Sequence, residues 1–125
     1  MGNKRVLDHI NITVPNLAKS VDFYTTVLGF EVTHRFMNGA REFVFLKDGL
    51  NTYEVFENAD LSAAVIDHLA YVSEDIEADY KHFMEVDSSM VVGEVGFVEA
   101  LFENGMYYFF IKGPAGEKIE FCQRK

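Results

Sequence analysis

Four side chains are of the right type to do chemistry together: His9, Glu54, His68 and Glu120. Imidazole nitrogens and carboxylate oxygens are donors for divalent transition metals, and two of each form an N2O2 set with room for two water molecules. Such a set suits six-coordinate Ni2+, Co2+, Mn2+ or Fe2+, and also Zn2+ despite its usual tetrahedral preference. A lone histidine on a half-buried strand is more often structural than a ligand, and a lone strand glutamate usually faces water. What sets these four apart is repetition.

The stretch VLDHINI at Val6–Ile12 is echoed by VIDHLAY at Val65–Tyr71, an offset of 59 that carries His9 onto His68. The same offset places Asn16 with Asp75, Leu17 with Ile76, Val21 with Tyr80 and Tyr24 with Phe83, so a helix start and its apolar spacing recur in register. Later, YEVF at Tyr53–Phe56 is echoed by IEFC at Ile119–Cys122, now at an offset of 66, which carries Glu54 onto Glu120. Two copies of one supersecondary unit follow.

Each copy must put its histidine on a first strand and its glutamate on a last one. Val6–Val14 alternates, with Val6, Ile10, Ile12 and Val14 on one face and Leu7, His9, Asn11 and Thr13 on the other. Asn16 is a good N-cap, and Leu17, Val21, Tyr24 and Leu28 form an amphipathic stripe, predicting a helix of about twelve residues halted at Gly29. Phe30–Phe36, Glu42–Lys47 and Leu50–Glu57 read as strands, with turn signals at Asn38-Gly39 and Asp48-Gly49. The second copy opens with a strand at Val65–Ser73 and a helix near Asp75–Val86, whose buried stripe is Ile76, Tyr80, Phe83 and Met84. Four stretches then compete for its remaining strands: Met90–Val95, Phe97–Glu103, Met106–Lys112 and Lys118–Gln123. Ala59–Ala64 is the connector. By alternation all four candidate ligands point away from the helix-packed layer, and pairing of the copies about a pseudo-twofold axis would bring them together inside a cup. Asp8 and Asp67 repeat on the opposite face and read as structural, Glu57 differs from Glu54 in parity, and Cys122 shares the parity of Glu120.

At 125 residues the chain is expected to form one domain over residues 1–125, made of modules 6–57 and 65–123. Hydrophobic residues make up 49% and charged residues 25%, and twelve Phe with six Tyr favour strands over a helical bundle. The longest apolar run, Met106–Ile111, is far short of the roughly 20 residues a membrane helix needs. With no signal-peptide pattern after the N-terminal basic pair and a single cysteine, Cys122, the expected location is the cytoplasm. Net charge is −9, which argues against binding to nucleic acid or to anionic membranes. Residues 1–62 hold six basic and eight acidic side chains and residues 63–125 five and twelve, so an anionic ligand must be met by local cations such as Arg5, Arg35, Arg41, Lys112 or Lys118. Phe36, Phe43, Phe45, Tyr107 and Phe109 are candidates for a pocket wall, with core packing the commoner role for strand aromatics.

The pattern of Asp8-His9-Ile10, DFYTTVLGF at Asp22–Phe30, DHLA at Asp67–Ala70 and GPAGEKIEF at Gly113–Phe121 resembles the vicinal oxygen chelate superfamily, which includes glyoxalase I, methylmalonyl-CoA epimerase, extradiol dioxygenases and bleomycin resistance proteins. The resemblance covers nearly the whole chain, with Gly113 and Ala115 standing where acidic or amide residues are common in the tail motif. It implies an α+β fold of two βαβββ modules forming a cupped mixed sheet, one divalent transition metal per site (Ni, Co or Zn, or else Mn or Fe), no organic cofactor, a small-molecule substrate and a homodimer. The order His9, Glu54, His68, Glu120 is similar to that of glyoxalase I, whereas the epimerases typically carry Gln at the position of Glu54. By that likeness the reaction is conversion of a 2-oxoaldehyde–thiol hemithioacetal to a 2-hydroxyacyl thioester, with Glu120 the base and Glu54 its partner. The alternatives of the same fold are a non-catalytic or resistance-type binding protein and an acyl-CoA epimerase.

Overall fold

The computed structural model describes residues 4–125, so the part of the expected domain that covers residues 1–3, and the start of the N-terminal segment with them, lies outside the described residues. Internal contacts divide the chain into two compact units, one from His9 to Asp67 and one made of the stretch up to Asp8 together with His68–Lys125.

In the first unit the strands are β1 (Leu7–Val14), β2 (Glu31–Asn38), β3 (Arg41–Lys47) and β4 (Thr52–Glu57), in the spatial order β2-β3-β4-β1. β1 runs parallel to β4 and the other pairs are antiparallel. The crossover from β1 is α1 (Leu17–Asp22), which Asn16 starts by accepting the Lys19 N–H at 3.0 Å. The helix then differs from the twelve-residue expectation: Phe23–Val27 is a π-turn. The Thr25 and Thr26 hydroxyls donate to the Val21 and Asp22 carbonyls, and the wider turn shifts the apolar stripe around the axis. Leu17, Val21 and Tyr24 stay packed on Val14, Val44, Leu46 and Val55, whereas Leu28 turns out to solvent at 49% exposure.

The loop into β4 is set by Asp48. Its Oδ1 accepts the Leu50 and Asn51 N–H groups at 3.0 and 2.7 Å, and its Oδ2 accepts the Tyr53 hydroxyl at 2.9 Å. These bonds to the ionised form, the Asn51 N–H foremost, hold the Asp48 carboxyl well below the usual carboxylate range, while the same bond raises the Tyr53 hydroxyl above its ordinary value. They also spend Leu50 and Asn51 on the turn, so β4 begins at Thr52 rather than at Leu50.

The second unit repeats the plan with β5 (Val65–Val72), α2 (Ile76–Asp87), β6 (Val91–Val98), β7 (Met106–Lys112) and β8 (Lys118–Arg124), in the order β5-β8-β7-β6 and with β5 parallel to β8. Asp75 caps α2 through the Ala78 N–H at 3.1 Å, as Asn16 caps α1. Ile76, Tyr80 and Phe83 pack on Phe109, Ile111 and Phe121, while Met84, expected in that stripe, is 40% exposed. The competing strand segments resolve into one bulged β6: its register against β7 shifts between Val92 and Gly96, and Gly93 takes a φ of 72° that only glycine adopts cheaply. Phe97–Glu103 is therefore not a strand of its own but the end of β6 and a turn.

A second repeated device ties each helix to its last strand. Glu57 accepts the first helical N–H, Leu17, at 2.9 Å, and Gln123, 66 residues on, accepts that of Ile76 at 2.9 Å. Glu57, which differs from Glu54 in parity, is thereby a capping residue. Among the described residues no helix is long and apolar enough to cross a membrane.

Candidate functional site

All four candidate ligands are buried polar residues, with exposures of 1% for His9, 5% for Glu54 and 6% for both His68 and Glu120. Burying a carboxylate is costly unless a positive charge or donors compensate it, so two such residues at matching places call for a cation or protons. Strand pairing explains how each histidine meets its glutamate. In the first unit Asn11 lies opposite Glu54 across the parallel β1–β4 pair, and His9, two residues earlier on the same face, sets Nε2 3.7 Å from Glu54 Oε1. In the second, Ala70 lies opposite Glu120 across β5–β8, and His68 Nε2 is 3.1 Å from Glu120 Oε1.

These distances fit two donors of one cation. Ligand atoms held at roughly 2.0–2.2 Å from an ion lie about 3.0 Å apart at a right angle and about 3.4 Å apart at the tetrahedral angle. The second pair already has that spacing, and the first needs a shift of a few tenths of an ångström. The donor set, imidazole nitrogen with carboxylate oxygen, is of the kind that takes a divalent transition metal.

The aromatic surroundings repeat as well. His9 meets the edge of Phe45 at 5.8 Å between centroids, and His68 meets Phe110 at 5.2 Å, both near perpendicular. Phe45 and Phe110 are the residues opposite Glu54 and Glu120 on the antiparallel side. Of the expected wall residues, Phe36, Phe43 and Phe45 form one aromatic cluster on this face, with Phe36 4.8 Å from Phe43 and 6.1 Å from Phe45. Tyr107 and Phe109 do not: both pack against the helix side of their sheet with Ile76 and Phe121. Phe110 takes the wall position instead.

The candidate cations divide similarly. Arg5 lies over Phe83 and Phe121 and pairs with Asp79 on the helix side, Arg35 faces Glu42 at 3.6 Å, and Arg41 covers Phe56 at 4.3 Å. Lys118 reaches over Phe110 at 5.7 Å, beside the Glu120 position. Cys122 is buried with its thiol 3.6 Å from the Tyr71 carbonyl.

Sequence reasoning passed over one residue of this site. Asn11 is fully buried, its Nδ2 donates to Glu54 Oε1 at 2.8 Å, and its Oδ1 accepts the Thr13 hydroxyl at 2.8 Å. A signal was present in the repeat, since Asn11 and Thr13 stand on the His9 face where the second copy has Ala70 and Val72.

The two βαβββ units and the His–Glu pair in each define the class. Residues 6–121 match the family model of the Glyoxalase/Bleomycin resistance protein/Dioxygenase superfamily, and the chain belongs to that superfamily. It is 34% identical to the uncharacterized protein YwbC of Bacillus subtilis (strain 168) over 126 residues, covering 94% of this chain and 97% of the relative. Among solved structures it resembles a superfamily member from Vibrio splendidus 12B01 (19% identity, TM-score 0.73, 97% of this chain and 100% of that one) and methylmalonyl-CoA epimerase from Mycobacterium tuberculosis (17%, 0.75, 100% and 93%). At these identities the likeness to solved structures is one of fold.

Proposed function

We propose that the protein is a metal-dependent lyase or isomerase of the glyoxalase I type, in which His9, Glu54, His68 and Glu120 together hold one divalent transition metal. The reading is carried by the repeated, buried His–Glu pairs at cis-ligand spacing. One pair alone is a weak chelate, and the repeat supplies a second pair of identical donor type. Residues 1–125 would then act as a single domain.

When bound, the metal would supply Lewis-acid stabilisation of negative charge on two neighbouring substrate oxygens. The substrate is the hemithioacetal of a 2-oxoaldehyde and a thiol. Glu120 takes the proton from the carbon bearing sulfur and returns it to the neighbouring carbon, while the hydroxyl proton passes from the oxygen of the first carbon to that of the second, which converts one isomer to the 2-hydroxyacyl thioester without any oxidant or added atom. Glu54 is its partner. Phe45 and Phe110 keep the surroundings dry, and this strengthens the interactions of both carboxylates. Lys118 over Phe110 offers a positive charge to an anionic part of the substrate.

The test is conversion of methylglyoxal with glutathione, and with other small thiols, after loading with Ni2+, Co2+ or Zn2+. Thioester formation that chelation abolishes supports the reading. An epimerase acting on an acyl-CoA would use the same proton transfer, and methylmalonyl-CoA epimerase shares the fold. Exchange of the substrate α-hydrogen with solvent on an acyl-CoA, with no turnover of any hemithioacetal, would decide for that activity. Ligand binding that is indifferent to metal would decide for a sequestering protein.

A further inference from the structure

We propose that Lys112 and Lys118 form a carboxylate-binding subsite one rung from Glu120, so that the thiol part of the preferred substrate is a short chain ending in a carboxylate. The proposal rests on the reading above for the reaction and deepens it by naming the substrate class. The subsite itself is built from residues of the second unit alone.

β7 and β8 set the two lysines directly opposite one another, and the neighbouring rung of the same pair is Phe110 opposite Glu120. Side chains alternate faces along a strand and directly opposed residues share one, so these four stand on a single face. His68 stands there too, 3.1 Å from Glu120 Oε1 and edge-on to Phe110. The two rungs are about 6.8 Å apart along the strands. Lys118 Nζ leans diagonally across the pair to lie 5.7 Å from the centroid of Phe110, the residue opposite Glu120. One positive charge is thus held beside the glutamate rung, and Lys112 brings a second to the same end of the strands. Both lysines are exposed, so an anion reaches them from solvent.

A lysine opposite a lysine does not stabilise a hairpin, because like charges disfavour the pairing. The acid that adjoins the rung, Glu117, is turned into the loop, where its Oε1 accepts the Ala115 N–H at 2.8 Å. In a chain with 20 acidic and 11 basic residues, two cations on one rung make a local positive spot against the general field. An ammonium has three donors, so each lysine can give an N–H to a carboxylate beside the contacts it already makes. The rung spacing also sets the length of the ligand. An extended chain covers about 6.8 Å in roughly six bonds, which joins the carbon that loses its proton at Glu120 to a carboxylate at the lysines through sulfur and about two methylenes. The thiol 3-mercaptopropionate has this length.

Binding and turnover are measured separately. For binding, 3-(methylthio)propionate and its neutral amide are titrated into the full chain, with and without Zn2+, and followed by backbone amide NMR. We expect saturable shifts at Lys112 and Lys118 with the acid and none with the amide. At up to about fivefold in affinity per exposed ion pair, Lys112→Gln combined with Lys118→Gln should weaken the acid about tenfold. For turnover, methylglyoxal is supplied with 3-mercaptopropionate or 3-mercaptopropionamide to the metal-loaded enzyme, and the double variant should lose about tenfold in its kcat/KM preference for the acid over the amide. No saturable binding of the acid, equal binding of acid and amide, or a preference unchanged in the double variant would overturn the subsite. Turnover of neither hemithioacetal by wild type would instead bring down the glyoxalase reading, and the NMR titration would still decide the subsite.

Discussion

Replacing one glutamate at a time with glutamine separates ligation from proton transfer. Glutamine has the size and shape of glutamate and keeps a carbonyl oxygen, so in Glu120→Gln the contact with His68 Nε2, 3.1 Å in the native chain, can persist. In Glu54→Gln the carbonyl can still accept the Asn11 amide, 2.8 Å away in the native chain. Exchanging a charged for a neutral hydrogen bond alters stability by about 1–2 kcal/mol at most. For a chain of 125 residues this corresponds to a shift in Tm of less than about 8 °C. The chemical effect is far larger. A glutamine cannot accept the substrate proton at neutral pH, and general-base catalysis typically contributes 10²–10⁴-fold, or about 2.7–5.4 kcal/mol of barrier at 1.36 kcal/mol per decade. Glu120→Gln should therefore keep about one ion per chain by elemental analysis while losing at least about a hundredfold in kcat for the hemithioacetal. Glu54→Gln should lose less than about tenfold. Equal losses in the two variants, or near-normal turnover of metal-loaded Glu120→Gln, would refute the assignment of the base.

Reconstitution should load about one transition-metal ion per chain, and His9→Ala or His68→Ala should lower that sharply; two ions per chain, or full content in both variants, would sink the shared four-ligand site. At free metal about 100 times Kd the bound ion contributes about 2.7 kcal/mol, so a chelator should lower Tm by roughly 10 °C in wild type and very little in the histidine variants. Small sheets with exposed apolar residues such as Leu50, at 94% exposure, and Ile66, at 68%, favour pairing of chains, and light scattering at micromolar concentration should give twice the mass of one chain. Because the folded Asp48 carboxyl lies below its ordinary value of 3.8, its contribution to stability is full above that pH and fades as pH falls toward the folded value. NMR titration should find Asp48 still ionised at pH 3, Asp48→Asn should flatten the acid limb of the stability curve, and ordinary titration near 3.8 would contradict the turn geometry.

Much of this was legible in the sequence because the strand period is two and the module occurs twice. Alternation in Val6–Val14 and Thr52–Glu57 assigns His9 and Glu54 to the face away from α1, and the repeat does the same for His68 and Glu120. Where alternation fails, so does the reading. β7 is the unbroken aromatic run Tyr107, Tyr108, Phe109, Phe110, which has no polar face to mark; only its register with β8 puts Phe110 opposite Glu120 and sends Phe109 to the helix side. Leu28 was misplaced for a related reason, since a π-turn changes the helical period within one turn and only the paired threonines hint at it. The bulge at Gly93 likewise fuses two apparent strands by absorbing extra residues that the pattern of apolar positions cannot count.

Much of what both copies retain beside the His–Glu pairs is what each module needs in order to fold. Asn16 and Asp75 cap the two helices, Glu57 and Gln123 satisfy the first helical N–H groups from the ends of β4 and β8, and in each unit an aromatic edge supports the histidine. Gln123 does its work without the charge of Glu57, so that role is one of hydrogen bonding and tolerates substitution. The pairing of Asn11 with Ala70 is of another kind. Both positions are buried at the centre of a parallel pair, where no solvent relaxes the choice of side chain, and an unpaired amide there would cost about 1–3 kcal/mol. An asparagine is stable at such a position because Thr13 and Glu54 satisfy it from two sides, which makes Asn11 and Glu54 a coupled choice.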